Sequence, residues 1–257
     1  HNETSTGVTS NIALVRRAID AAGHPALLLV DAVSSLCAMD LRHDEWGIDV
    51  TVAGSQKGLM LPPGLGFTAV SQKALAAARQ SRFPKFFWSW DDMIASNATG
   101  QFPYTPATNL IYGLDEAIAM VNEEGLENVF ARHDRLAEAT RRAVAAWGLE
   151  NVCRDPEGYS SVLTAVMMPE GHNADSFRKT VLEHFDMSLG TGLSKLAGRA
   201  FRIGHVGDTN DLTIVGALSG VEMGLDVAGV PHQKGGTQAA MEYLAGVAKA
   251  PMRKAAE

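Results

Sequence analysis

Apolar and polar positions along this chain switch between a helical and an extended period. Residues 11–22 put Ile12, Val15, Ala18 and Ile19 on one helical face, with Ser10 or Asn11 as cap and Gly23-His24-Pro25 as a stop. The run Leu27-Leu28-Leu29-Val30 then ends at Asp31 and is followed by small residues. That composition predicts a fully buried parallel strand delivering a carboxylate at its C-terminal end. A β-branched run at residues 48–52 predicts a second strand, which breaks at Ala53-Gly54-Ser55 and presents Gln56-Lys57. A Gly/Pro-rich turn at 62–66 leads into a third strand at 67–70, and Ser71 caps a predicted helix over 71–79. Helix–strand alternation of this kind marks an α/β sheet.

Further along, residues 109–122 predict a helix with Leu110, Leu114, Ile118 and Val121 on one face, broken by Gly125. Residues 126–147 predict a long amphipathic helix with Val129, Leu136, Ala139 and Val144 inward and Arg, Glu and His outward. Beyond Gly148 the elements shorten: strands at 161–168, 187–190 and 200–206, and helices at 174–185, 208–225 and 238–248. The expected division is residues 1–124, an α/β domain with a mainly parallel sheet, and residues 125–257, a smaller α+β domain. Residues 39–47 read as a charged loop with Trp46 plugging the surface. The aromatics Phe83, Phe86, Phe87, Trp88 and Trp90 read either as a pocket wall or interface, or as a satellite hydrophobic cluster.

Composition narrows the function classes. The net charge of −7 over 257 residues, with no basic block, gives nucleic-acid binding no electrostatic support. No apolar run is long enough to span a bilayer. Cys37 and Cys153 are far apart and fit a reduced, cytoplasmic compartment. The eight histidines are scattered without ligand spacing, so no metal site is expected. The terminal run Arg253-Lys254-Ala255-Ala256-Glu257 carries no Ser-Lys-Leu-like address, which also favours the cytoplasm.

The candidate chemistry centres on Lys57. A lysine just past a buried strand among small residues loses charge through desolvation, and a neutral amine can attack a carbonyl to form a Schiff base. The alternative is a surface lysine on a loop. Asp31 precedes it by 57 − 31 = 26 residues, room for one loop and one strand. A lysine with an acidic partner for the pyridinium nitrogen is how proteins hold pyridoxal phosphate; Asp31 could equally be a turn or helix-cap residue. Arg202, within Phe201-Arg202-Ile203-Gly204, suits bidentate capture of a carboxylate if it points inward, and is otherwise an edge-strand arginine facing water. Taken alone, Thr105 reads as a helix cap ahead of Pro106 at the first helical position.

Residues 49–68, with Gly54-Ser55-Gln56-Lys57 and Pro62-Pro63-Gly64, resemble the lysine signature of the class V aminotransferases, a pyridoxal-phosphate family of fold type I. His1-Asn2-Glu3-Thr4-Ser5-Thr6-Gly7-Val8, Val30-Asp31-Ala32-Val33-Ser34-Ser35, Gln101-Phe102-Pro103-Tyr104-Thr105-Pro106-Ala107-Thr108 and Phe201-Arg202-Ile203-Gly204-His205 extend the match. The resemblance is nearest to the serine–glyoxylate and alanine–glyoxylate branch. It implies transamination between a small amino acid (serine or alanine) and a 2-oxo acid such as glyoxylate or pyruvate. It implies pyridoxal 5′-phosphate held on Lys57 as a Schiff base, with Asp31 at the ring nitrogen and Val33 under the ring. Gln56 would orient the phosphate or ring oxygen, Thr4 would partner the phenolic oxygen, and Arg202 would hold the substrate carboxylate. Thr105 would reach the phosphate of the partner's cofactor in a homodimer. The chain would begin inside the large domain, after a family segment that supplies the phosphate cup. The alternatives are a catalytically incomplete remnant of that family and a fold-type-I lyase of the cysteine desulfurase kind. Against the lyase, Cys37 and Cys153 lie outside any mobile-loop motif, and Gln56 stands where desulfurases commonly carry His.

Overall fold

The computed structural model describes residues 1–249; the run Arg253 to Glu257, read above for a targeting address, lies outside them. In chain order the strands and helices are β1 (Asn2–Glu3), β2 (Val8–Thr9), α1 (Ile12–Ala21), β3 (Leu29–Asp31), β4 (Val50–Gly54), β5 (Gly66–Val70), α2 (Gln72–Gln80), α3 (Trp90–Asn97), α4 (Thr108–Glu124), α5 (Leu126–Ala146), β6 (Glu150–Asn151), β7 (Leu163–Met167), α6 (Ala174–Phe185), β8 (Gly190–Thr191), β9 (Ala200–Gly204), α7 (Asp211–Val227) and α8 (Gly236–Ala248). They group into two compact units. The first holds His1, Asn11–Leu36 and Leu41–Glu123; the second holds Asn2–Ser10, Cys37–Asp40 and the described residues from Glu124 onward.

In the first unit, α1 starts where a cap residue permits: the Asn11 side chain accepts from Leu14 N at 3.0 Å. Its inward residue Ile12 packs with Leu28, Val30 and Ile48, and with the half-buried Ile19 and Trp46. β3 runs parallel to β4, with Asp31 paired to Val52, and β5 closes the three-stranded sheet antiparallel to β4. The expectation of a fully buried β3 is corrected here. Leu28 and Val30 are buried, but Leu29 is 63% exposed and its neighbour on the same face, Val52, is 39% exposed. The core formed with α1 covers only the face carrying Leu28 and Val30, since side chains alternate along a strand. Asp49 is the buried polar tie of this unit. Its carboxylate accepts from Leu28 N (2.8 Å) and from the hydroxyl of Ser71 (3.0 Å), the residue that caps α2. Burial opposes its ionisation, but those two donors and the nearby Lys73 ammonium outweigh burial and hold the carboxyl below the usual range.

The second unit carries the sheet order β6-β7-β9-β8, all pairs antiparallel. Phe201 and Ile203 of β9 are buried with Leu136, Trp147, Phe177, Leu218 and Leu225, and the Phe177 and Phe201 rings lie 4.8 Å apart. A Cβ on Gly224 of α7 would collide with Val181 of α6, so glycine permits that close helix approach. Two histidines sit inside. His133 does not face outward from α5, as expected, but is buried. Its Nδ1–H donates to Val129 O (2.7 Å) and its Nε2 accepts from Gly207 N (3.1 Å). His205 donates from Nδ1 to Ser161 O (3.0 Å) and meets the Thr164 hydroxyl at Nε2 (3.0 Å). A carbonyl can only accept, so each ring carries its proton on Nδ1 and is neutral. Burial pushes His133 down and His205 down to about 3. At the start of α8, the Glu222 carboxylate accepts from Gly235 N (2.6 Å) and Thr237 N (2.8 Å). Burial disfavours its charge, but the two amides prevail and lower its pKa to about 2.

These shifts have one sign for stability. As acid is added, the unfolded chain takes up protons before the folded one does, so stability falls with falling pH. The His205 contribution is lost from its ordinary 6.5 downward, and that of Glu222 between 4.5 and about 2. Glu222→Gln is expected to lower the unfolding free energy at neutral pH by about 1 kcal/mol, the cost of a helix cap. It should flatten only the lower part of the acid limb. Urea unfolding of both proteins at several pH values checks this; an undiminished pH slope below 4.5 in the variant would contradict it.

Candidate active site

β3 and β4 are parallel neighbours, so the residues that follow them emerge at the same end of the sheet. Asp31 ends β3. Its Oδ1 accepts from Val33 N at 2.9 Å, a turn that bends the chain away from the strand, so the turn-residue reading of Asp31 holds in part. The carboxylate is exposed and forms no ion pair among the described residues. Ladder pairing puts Asp31 and Val52 on one face, and alternation adds Gly54. A Cβ on Gly54 would lie 2.7 Å from Gln56 Oε1, so the Gln56 amide folds back over that same face. Asp31 and Gln56 are thereby brought to one side of the sheet, with Val33 half-buried just beyond the strand.

Lys57 lies in the loop between β4 and β5. The loop is closed at its base by Ser55, a buried residue not singled out in the sequence. The Ser55 hydroxyl donates to Pro62 O (2.8 Å) and accepts from Leu65 N (3.2 Å), while Ser55 O accepts from Leu61 N (3.1 Å). Leu61 in turn lies over Gly113 of α4, where a Cβ would come within 2.6 Å of it. The Lys57 carbonyl accepts from Met60 N (2.9 Å); its half-buried side chain has no hydrogen-bond or ion-pair partner among the described residues. A short Ser hydroxyl bonding to backbone leaves no pattern in a sequence, which is why Ser55 was missed.

Thr105 does not cap a helix. α4 begins at Thr108, and the carbonyl of Ala107 receives Leu110 N and Ile111 N. Thr105 instead lines an open groove of about 830 Å³ with Phe102, Tyr104, Ile111 and Tyr112. Nearby, Phe87 stacks on Tyr104 at 4.7 Å and meets Trp88 edge-on at 5.9 Å, and Phe86 lies 6.4 Å from Tyr104, so these rings form a cluster, one in which Phe83, Phe86 and Trp88 stay largely exposed.

In the second unit, Arg202 alternates with Phe201 and Ile203 and so points away from the core. Its Nε donates to Thr191 O (2.8 Å) and its Nη1 to Thr4 O (2.8 Å), which brings two of the singled-out residues together. No carboxylate pairs with Arg202 among the described residues. Burial, and after it the charge of Arg178, hold the guanidinium pKa below its usual value. A half-buried guanidinium bonded only to carbonyls retains N–H groups for an anion. No group of His, Cys, Asp and Glu assembles a metal cage among the described residues. None of the described helices is long and apolar enough to cross a membrane.

Comparison with known proteins gives this arrangement its context. The family model described as "Aminotransferase class-V" matches residues 1–194. The serine–glyoxylate aminotransferase of Methylorubrum extorquens is 54% identical over 250 residues, covering 95% of this chain and 62% of that protein. The L-aspartate–glyoxylate aminotransferase of Paracoccus denitrificans is 48% identical, over 100% of this chain and 65% of its own length. The crystal structure of pyridoxamine–pyruvate aminotransferase from Mesorhizobium loti superposes with a TM-score of 0.89 at 30% identity, over 96% of this chain and 64% of that one. This chain therefore spans somewhat under two thirds of the relatives it matches. Its fold is that of the fold-type-I pyridoxal-phosphate enzymes, and the chain belongs to the class V aminotransferases.

Proposed function

We propose that this chain carries the catalytic lysine of a pyridoxal-5′-phosphate-dependent aminotransferase, moving an amino group from a small amino acid to a 2-oxo acid. The carrying observation is that Lys57 and Asp31, neither of them in an ion pair among the described residues, sit at the same end of two adjacent parallel strands, Asp31 closing β3 and Lys57 in the loop after β4. That donor set fits the cofactor: an amine for its aldehyde carbon, an anion for its ring nitrogen and an amide, Gln56, for its polar edge. The bound cofactor supplies an electron-accepting ring that lets an amino group pass between two carbon skeletons. Lys57 would hold the cofactor's aldehyde carbon, and its free amine would carry the proton to and from the substrate α-carbon. Asp31 would keep the ring nitrogen protonated. Val33 would pack against the ring, and Gln56 would orient the phosphate or ring oxygen. The Thr4 hydroxyl would serve the ring oxygen, and Arg202 would hold the substrate carboxylate.

The relatives' names favour serine as donor and glyoxylate as acceptor, with alanine and pyruvate as alternatives; a relative named for aspartate keeps the donor open. A homodimer, with Thr105 serving the partner's phosphate, accounts for the exposed aromatics beside the Thr105 groove. A cytoplasmic setting fits the two free thiols, Cys37 and Cys153.

Titrating the purified chain with pyridoxal phosphate should give a visible absorbance band near one equivalent, and Lys57→Ala should abolish it. A band that persists in Lys57→Ala overturns the assignment of the lysine; no band in the parent chain supports the incomplete-remnant reading instead. Asp31→Asn should keep the band yet slow its bleaching by an added amino acid by about 100- to 1,000-fold, the effect of losing one electrostatic partner. Stopped-flow absorbance measures that rate, and an unchanged rate contradicts the role given to Asp31.

A further inference from the structure

The orientation of Arg202 depends on a strand too short to hold itself. β8 has two residues, paired to β9 as Gly190↔Arg202 and Thr191↔Phe201. Yet the carbonyl of Thr191 is what receives Arg202 Nε. The first turns of α6 grip β8 at both ends. Arg178 Nε donates to Leu189 O at 2.8 Å, just ahead of the strand. Asp175 Oδ1 accepts from the Thr191 hydroxyl at 2.9 Å and from Arg178 Nη1 at 3.0 Å. One carboxylate oxygen, in the first turn of α6, thus joins the two grips. Between the grips stands Gly190, where a Cβ would meet Arg202 Cβ at 3.0 Å and Nε at 3.2 Å, so the arginine side chain lies directly against β8. The burial of Arg202 and the neighbouring Arg178 charge both favour an anion at this guanidinium.

We propose that Asp175 and Thr191 are positioning residues for Arg202: through the Thr191 carbonyl they fix the guanidinium plane so that its Nη end faces a substrate carboxylate. With Nε and one N–H of Nη1 committed to the carbonyls of Thr191 and Thr4, the N–H groups of Nη2 and one of Nη1 are left for a planar anion. A guanidinium held this way is preorganised, whereas one released from β8 must be ordered by the ligand. The inference rests on the reading of Arg202 as the carboxylate-holding group given above.

The test uses the Arg202 Nε–H resonance in protein labelled with ¹⁵N-arginine, assigned by its loss in Arg202→Lys. Its solvent exchange should be slow in the parent chain and in Thr191→Ser, which keeps the hydroxyl. It should be about tenfold faster in Thr191→Val and in Asp175→Asn, as expected for loss of one hydrogen bond. Glycolate, which offers a carboxylate but no carbonyl or amine to react, serves as the binding probe. Its dissociation constant should rise by up to about tenfold in Thr191→Val and Asp175→Asn and stay within about twofold in Thr191→Ser. Exchange and affinity unchanged in both Thr191→Val and Asp175→Asn overturn the positioning role. Equal damage in Thr191→Ser and Thr191→Val also overturns it, because the hydroxyl would then not be the cause. If Arg202→Lys leaves glycolate affinity intact, the reading of Arg202 itself fails, a result separate from the exchange measurement.

Discussion

The parallel pairing of β3 with β4 is the constraint on which the proposed chemistry depends. It is set by burial. Leu28 and Val30 must face Ile12 and Ile48, and alternation then places Asp31 on the opposite, open face. A slip of one residue would turn Asp31 into the apolar core and expose Val30, so the core specifies where the carboxylate points. Asp49 reinforces the register, tying the start of β3 to the cap of α2 through Leu28 N and the Ser71 hydroxyl. The Ser55 staple then fixes where the chain leaves β4, and with it the loop that carries Lys57.

The second unit applies the same logic to a cation. Phe201 and Ile203 are committed to the core around Trp147 and Leu218, which forces Arg202 to the other side of β9. The chain beyond Arg202 is pinned from α5: His133 accepts from Gly207 N, and Arg132 donates to the carbonyls of Gly207 and Thr209. His205, neutral and buried, ties the same stretch to Ser161 and Thr164. In each unit, hydrophobic burial decides the face and a few polar bonds decide the angle.

Much of this was legible in the sequence, and what was not has physical causes. The Asn11 and Ser71 caps, the span of α6 and the placement of Asp31 at the end of a strand follow from local propensity and period, which are properties of short segments. α3 was not seen, because the aromatics around it hide any helical period. The exposure of Leu29 was misjudged because an apolar run reports suitability for burial, while burial itself depends on what lies across the face. His133 looked like part of a solvated helix face; its partners, Val129 O and Gly207 N, are backbone groups that no residue pattern announces. The same applies to the supports of the candidate site. Ser55, Thr191 and Thr4 act through or upon main-chain carbonyls, and such contacts are invisible until the chain is folded.

The central claim is that the Lys57 amine is the point of covalent attachment for the cofactor. Borohydride reduction of the protein mixed with pyridoxal phosphate, followed by proteolysis and peptide mass spectrometry, tests it most directly. The account predicts a stable pyridoxyl group on the peptide containing Lys57. The same group on Lys73 or Lys85, with Lys57 unmodified, would contradict it.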